Sequence, residues 1–336
     1  MKDHRILLAH GSGGRLTHEL IEHVFLPHMR NAHLERMEDS AVFSLGESRL
    51  CFSTDSYVVN PIFFPGGDIG SLAVHGTVND LAMAGGRPLF ISAGFIIEEG
   101  FGLDDLTVIV RSMATAAEDA GIQIVAGDTK VVARGAVDGI FINTSGIGII
   151  DYEGDISVAS IAPGDVLIVN GSIGDHGTAV LCARDGIEIE SPIMSDSCAL
   201  NGMVREILEV SPNIHCMRDA TRGGLGSILA EIASQAGCTI IIEEKDIPIK
   251  DEVRGVCEML GFDPLFIANE GKMVVFCPAG DAHAVLNTMR SHSLGRDASV
   301  IGWVDETNPG RVVMNTLIGG SRVVDLPAGE LVPRIC

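Results

Sequence analysis

Four aspartates stand where apolar segments end: Asp39 in EDSAVF, Asp55 in FSTDSYVV, Asp80 in NDLAMAGG and Asp128 in GDTKVV. Carboxylates at the ends of strands and helices can converge on one point, and their oxygens suit Mg2+. A polyphosphate is itself anionic, so bare carboxylates repel it, and a divalent cation has to bridge the two. Any one of these aspartates, taken alone, is better explained as the cap of a turn or helix. Four in one half of the chain, each beside glycine, serine or asparagine, move the reading towards a metal–phosphate site.

Other residues carry matching chemistry. Gly11, Ser12, Gly13 and Gly14 follow His10 ahead of the first predicted helix, where main-chain N–H groups can approach an anion. A flexible turn explains the same residues. Lys130, after a Gly127-Asp128-Thr129 turn, can neutralise a transferring phosphoryl group, or can be a surface lysine. Glu270, in ANEGK, can serve as a general base or be an ordinary loop carboxylate. GDHG (174–177) and RDATRGG (218–224) are glycine-bounded polar clusters that open helices, able to bind an anion or simply to cap. Cys336 is the last residue, at the end of PRIC. A prenylation box needs its cysteine four residues from the end, so this is not one. On an exposed arm its thiolate would be a nucleophile, helped by Arg334 and opposed by the terminal carboxylate. No GxxxxGK[ST], no GxGxxG between strand and helix, no HExxH and no nucleophile elbow occurs.

These residues need a scaffold, and the patterning predicts an α/β (α+β) chain of two mixed domains. In the first half, Leu16, Leu20, Ile21, Val24 and Phe25 have helical spacing, stopped by Pro27. Strands are expected at 41–45, 50–54, 89–97, 122–126 and 139–149. Helices are expected over 69–84 and from Asp104, as cap, to Gly121. The polar, glycine-containing stretch 151–164 marks a boundary, giving domains 1–153 and 154–326. In the second half, strands are expected at 165–170, 239–243, 273–277, 299–304 and 311–317. Its helices are expected at 197–209, 224–236 and 250–260. Residues 327–336, with two prolines and no helical stripe, read as a mobile, solvent-reaching arm. Ten extended residues span about 30 Å.

Composition narrows the function. The chain has 336 residues, 46% hydrophobic and 20% charged, with a net charge of −22. Such acidity disfavours nucleic acid and anionic membrane surfaces as partners. No apolar run approaches the ~20 residues of a membrane span, and the N-terminus does not read as a secretory signal, so a cytoplasmic protein is expected. The eight cysteines form no CxxC pair, which disfavours a local zinc or iron–sulfur site.

Together HGSGG (10–14), EDSAVF (38–43), FSTDSYVVNPIFFPGG (52–67), NDLAMAGGRP (79–88), GDTKVV (127–132), GDHG, RDATRGG, ANEGK and the terminal PRIC resemble the HypE family of hydrogenase maturation proteins, the carbamoyl dehydratases. These motifs run from one end of the chain to the other. The wider superfamily is similar to aminoimidazole ribonucleotide synthetase and includes thiamin-monophosphate kinase and selenophosphate synthetase, which lack the cysteine-ended arm. Glu38 precedes Asp39 where many superfamily members have a second aspartate.

The resemblance implies a two-domain aminoimidazole ribonucleotide synthetase-like fold, paired as a homodimer with ATP near the interface. It further implies that the carbamoyltransferase HypF loads a carbamoyl group onto Cys336. ATP then drives its dehydration to a thiocyanate, and cyanide passes to iron on a HypC–HypD complex, so the tail would alternate between an outward pose for loading and delivery and an inward pose for chemistry. Asp39, Asp55, Asp80 and Asp128 would hold Mg2+ and phosphates, with Asn79, Thr129 and the 11–14 loop also at the nucleotide. Lys130 would stabilise the transferring group, and Glu270 would take an N–H proton. Two alternatives stay open from the residues alone: a kinase or synthetase acting on a free small molecule, and a non-catalytic scaffold.

Overall fold

The computed structural model describes residues 5–184, 189, 191–306, 310–327, 329 and 335–336. The first region contains helices α1 (Arg15–Leu20) and α2 (Leu26–Met29), then β1 (Ala41–Leu45), β2 (Ser48–Tyr57) and the short pair β3 (Phe63–Phe64) and β4 (Gly67–Asp68). It continues with α3 (Ile69–Met83), β5 (Arg87–Glu98), α4 (Leu103–Asp119), β6 (Gln123–Val132) and β7 (Ile140–Ile150). Its five-stranded sheet runs β1-β2-β7-β5-β6, antiparallel except for the parallel β5–β6 edge.

The second region holds β8 (Asp165–Val169), α5 (Asp175–Cys182), α6 (Asn201–Val210), β9 (Cys216–Asp219), α7 (Gly224–Ala236) and β10 (Thr239–Glu243). It is completed by α8 (Asp251–Leu260), β11 (Met273–Pro278), α9 (Ala282–Ser291), β12 (Ser299–Asp305), β13 (Arg311–Asn315) and β14 (Ser321–Val324). Its seven strands run β14-β13-β10-β12-β8-β11-β9.

Alternation decides which face of the first sheet is closed. On β2, Cys51, Ser53 and Tyr57 are buried while Phe52, Thr54 and Ser56 are exposed. On β7, Ile140, Ile142, Thr144, Gly146, Gly148 and Ile150 are buried in the same alternating way. Helices α3 and α4 cover the buried face, with Ile69, Leu72, Ala73, Ile109 and Met113 packed on Tyr57, Ile91 and Ile142. The other face carries exposed Phe52, Phe90 and Ile96.

Helix α3 is buried almost all round because it also packs against α6 and β9 of the second region. Asp68 caps it by accepting from Gly70 and Ser71 N–H. At Gly76 a Cβ would lie 2.2 Å from the Tyr57 hydroxyl, so only glycine lets helix and sheet approach this closely. The junction of the two sheets therefore falls at the C-terminal part of α3, beside Asn79 and Asp80.

Several expectations are corrected. Pro27 does not stop the first helix. A π turn at Ile21–Phe25, with Leu26 N–H donating to Ile21 O, carries the chain into α2 with proline in its first turn, where a missing N–H is tolerated. GDTK is not a turn, since 127–130 lies inside β6. Gly102, not Asp104, caps α4, and Asp104 sits in its first turn, where a carboxylate favours the helix dipole. Strand β9, helix α9 and strand β14 had no sequence prediction. Most of the 327–336 arm lies outside the described residues, but Ile335 and Cys336 are buried rather than solvent-reaching.

Candidate active site

Three of the four aspartates meet at the junction. Asp39 precedes β1, Asp55 lies near the end of β2 and Asp80 lies in the last turn of α3. Ser53 Oγ donates to Asp80 Oδ2 at 2.6 Å, and Ser40 Oγ donates to the Asp80 carbonyl at 2.8 Å. Strand β9 brings Arg218 and Asp219 against α3, and Arg218 Nε stands 2.7 Å from Asp39 Oδ1. Glu270, in the loop before β11, is only 3% exposed. Asp39 Oδ2, Asp219 Oδ2 and Glu270 Oε1 are buried without a hydrogen-bond partner.

Electrostatics follow from this crowding. Burial pushes Asp80 well above the usual carboxylate range, and neighbouring Asp219, Asp39 and Asp55 add to it. Burial raises Asp219 likewise, with Asp39 adding and Arg218 opposing. Glu270 is raised by burial and by Asp219 and Asp55, with Arg222 opposing. Asp39 is also raised by burial, although Arg218 pulls against it. Among the described residues, no three His, Cys, Asp or Glu side chains form a ready-made metal cage. The orphaned anionic oxygens instead suit a divalent cation that brings further oxygen ligands with it.

The chain end closes the other side of this region. Arg222 Nε donates to Cys336 Sγ at 3.0 Å, and Arg222 Nη2 lies 3.5 Å from Asp55 Oδ1. One guanidinium thus joins the terminal thiol to the acidic cluster. Val58 N–H donates to a Cys336 oxygen at 3.3 Å. A cavity of about 210 Å³ adjoins the thiol, lined in part by Gly11, Ser12, Gly14, Val58 and Phe266. The expected exposed thiolate is corrected here. Cys336 is 8% exposed, and burial pushes its thiol up to about 11, with Arg222 opposing. Arg334 lies outside the described residues.

The glycines of the 10–14 segment serve this packing. A Cβ on Gly13 (φ +78°) would stand 2.9 Å from Arg222 Cβ, and one on Gly14 would stand 2.9 Å from the Pro327 carbonyl oxygen. Ser12 Oγ donates to Ala9 O at 3.0 Å.

Asp128, Thr129 and Lys130 are placed elsewhere. They sit on β6, the exposed edge strand, where Lys130 Nζ lies 2.7 Å from both Asp128 oxygens. The hydrogen bond from Lys130, reinforced by its charge, holds Asp128 below the usual carboxylate range. In register, Asp128 pairs with Gly94, Gly94 with Asn143 and Asn143 with Ser56. Asp128 therefore shares the open face with Ser56, three strand spacings or about 14 Å away, whereas Asp55 turns to the covered face. Asn79 is buried, and its amide is committed to backbone. Its Nδ2 donates to Cys198 O and Glu270 O, and its Oδ1 accepts from Leu200 N–H.

Sequence reasoning did not single out Asp219, Arg218 and Arg222 individually. RDATRGG was legible as a polar cluster, but a four-residue strand ending in two buried opposite charges leaves no periodicity to read. Asp196 and Lys272 were also missed. Their ion pair, 3.0 Å long, lets Asp196 accept N–H bonds from Glu270 and Gly271, which fixes the Glu270 backbone.

Comparison with known proteins places this geometry in context. Residues 37–150 match the model "AIR synthase related protein, N-terminal domain", and residues 162–315 match the corresponding C-terminal domain. Carbamoyl dehydratase HypE of Azotobacter vinelandii is 50% identical over 336 residues, covering 100% of this chain and 98% of that protein. Carbamoyl dehydratase HypE of Escherichia coli (strain K12) is 45% identical over 336 residues, covering 98% and 99%. A HypE–HypF complex structure superposes with a TM-score of 0.87 at 48% identity, covering 92% of this chain and 99% of that one. A structure of HypE in complex with ATP gives 0.83 at 47%, covering 99% and 100%. AaThiL complexed with AMPPCP and TMP, at 18% identity and a TM-score of 0.71 over 98% and 99%, is alike in fold.

Proposed function

This chain belongs to the AIR synthase related proteins and, among them, to the HypE carbamoyl dehydratases, and from that premise we propose that Cys336 carries the group on which the enzyme acts. The reaction is ATP-dependent dehydration of an S-carbamoyl group to a thiocyanate, which supplies cyanide ligands for [NiFe]-hydrogenase iron. The observation that carries the assignment is the Cys336 thiol beside a small cavity, hydrogen-bonded to Arg222, which reaches Asp55 of the acidic cluster.

The balance of the step explains the residues. The carbamoyl oxygen displaces ADP from the γ-phosphoryl group, then leaves as phosphate while the nitrogen gives up two protons and the C≡N bond forms. An amide oxygen is a poor leaving group and phosphate a good one, hence the need for ATP. Glu270, buried in the acidic cluster opposite the charge of Arg222, would accept an N–H proton once a bound cation offsets the neighbouring carboxylates that raise it. Arg222 sits where charge develops on the oxygen of a group attached to Sγ and stabilises it. Asp39, Asp55 and Asp80, with Asp219 beside them, fit Mg2+, which when bound supplies charge neutralisation for the phosphates.

Lys130 and Asp128 lie on an open face that also carries exposed Phe52, Phe90 and Ile96. An unpaired edge strand beside apolar side chains supports pairing with a second copy. In the homodimer that we propose, β6 of one chain would bring Lys130, Asp128 and Thr129 to the nucleotide of its neighbour. HypF is the proposed source of the carbamoyl group, consistent with the relative solved in complex with it, and a HypC–HypD complex is the proposed acceptor. Among the described residues no helix is long and apolar enough to cross a membrane; cytoplasmic residence is part of the proposal.

The alternative left open by the residues, a kinase acting on a free small molecule, gives a docked terminal thiol no task. Loading with the carbamoyltransferase, then adding ATP, tests the assignment. Intact mass is expected to show a carbamoyl adduct that then loses one water. An adduct persisting on Cys336→Ala overturns it.

A further inference from the structure

His176 opens α5 and is fully buried, with its ring edge-to-face on Phe64 at 5.3 Å. Its Nε2 lies 2.8 Å from the Ile335 carbonyl oxygen, and its Nδ1 lies 2.8 Å from Ser195 Oγ. A carbonyl oxygen only accepts, so Nε2 carries the hydrogen and Nδ1 accepts from the serine hydroxyl. Burial lowers the His176 pKa, in keeping with a neutral ring. Ser195 is itself held, since its N–H donates to Pro65 O at 2.7 Å and its Oγ accepts from Ser197 N–H at 3.1 Å. The next residue, Asp196, accepts the N–H groups of Glu270 and Gly271. One short segment therefore braces both the chain end and the Glu270 loop.

We propose that His176 is a positioning residue that latches the chain end in its docked pose. Its bond falls on the peptide group immediately before Cys336, so it fixes the direction from which Sγ meets Arg222. Ser195 sets the ring's tautomer and orientation. A neutral donor suits a latch that must open, because withdrawal of the tail leaves no buried charge behind. The inference rests on Cys336 carrying the reacting group, but the latch can be read on unloaded protein.

The experiment measures N-ethylmaleimide alkylation of Cys336, followed by mass spectrometry of the C-terminal peptide, without ATP or partners. His176→Ala is expected to raise the rate about tenfold, the loss of one buried hydrogen bond. His176→Gln, whose amide N–H reaches the Nε2 position, is expected to restore most of the protection. Ser195→Ala, which empties little volume, is expected to raise the rate about threefold. In single-turnover dehydration of pre-loaded protein, His176→Ala is expected to lower the rate about tenfold with nucleotide affinity unchanged.

Unchanged alkylation in both His176→Ala and Ser195→Ala overturns the latch. So does equal exposure in His176→Ala and His176→Gln, which would mark a packing role, or faster alkylation with no loss of dehydration rate. If wild-type protein never dehydrates a group on Cys336, the functional assignment fails instead, while the alkylation result still reports on the latch.

Discussion

The acidic junction and the β6 edge place the same chemical types in opposite surroundings. At the junction Asp219 and Glu270 are buried and Asp39 and Asp80 are half-buried, with the Arg218 guanidinium paired to Asp39. On β6, Asp128 and Lys130 stand 68% and 65% exposed and neutralise each other. A buried carboxylate short of counter-charge is poised for a cation, whereas an exposed, self-paired one is at rest in water. One half of the proposed machinery is thus assembled within the chain and the other half is presented outwards.

Subunit mixing tests whether the two regions belong to different chains of one site. Asp80→Asn and Lys130→Ala are each expected to lower ATP-dependent dehydration at least about a hundredfold, the scale of losing a charge partner in phosphoryl transfer. In a mixed dimer of the two variants, one site would draw intact Asp80 and Lys130 from different chains, so substantial turnover should return. Activity as low as in either homodimer would place both residues in one chain's site and erase the distinction.

A second prediction uses pH. The docked Cys336 thiol has its pKa raised to about 11 from 9.0. Below 9 both poses hold the proton and pH has no effect. Between 9 and 11 only the undocked thiol ionises, so rising pH must favour release, by up to about a hundredfold. The methyl resonance of labelled Ile335 should report this, and Cys336→Ser should flatten the profile. A flat wild-type profile would mean that the thiol is not sealed from water.

The open face gives a third prediction. Phe52→Asp or Phe90→Asp is expected to weaken self-association about tenfold or more in sedimentation velocity, with little change in the fold of the separate chain. Association unchanged by both substitutions would remove this face from the interface. The smallest expected effect is on stability. Asp219→Asn removes a buried carboxylate whose Oδ2 lacks a partner, and should raise the ligand-free melting temperature by about 2 °C. Asp128→Asn should leave it unchanged, and equal shifts would contradict the contrast in burial.

Much of the scaffold was legible because periodicity reports burial. The spacing of Ile109, Met113 and Ala117 announces the buried face of α4, and the apolar runs of α3 and β11 announce segments buried nearly all round. Pro27 misled because a π turn can absorb a proline in a way local rules do not foresee. GDTK misled because glycine and aspartate are usual turn formers, yet pairing with β5 draws them into a strand. For the site, residue types and motifs nominated Asp39, Asp55, Asp80 and Glu270. Asp219 and Arg222 gained their importance only from what stands opposite them.

By itself the sequence determined the chemical inventory, namely carboxylates, glycines and a thiol at its end, strung on segments whose periodicity marks strands and helices. Only the tertiary structure decided which of these groups share a point in space, because burial and counter-charge depend on neighbours more than a hundred residues away. Arg222 reaches Cys336 and Asp55, and His176 reaches Ile335, across such separations. A one-residue alternation along β2 and β6 sends Asp55 to the covered face and Asp128 to the open one, and only the strand register shows that the two diverge.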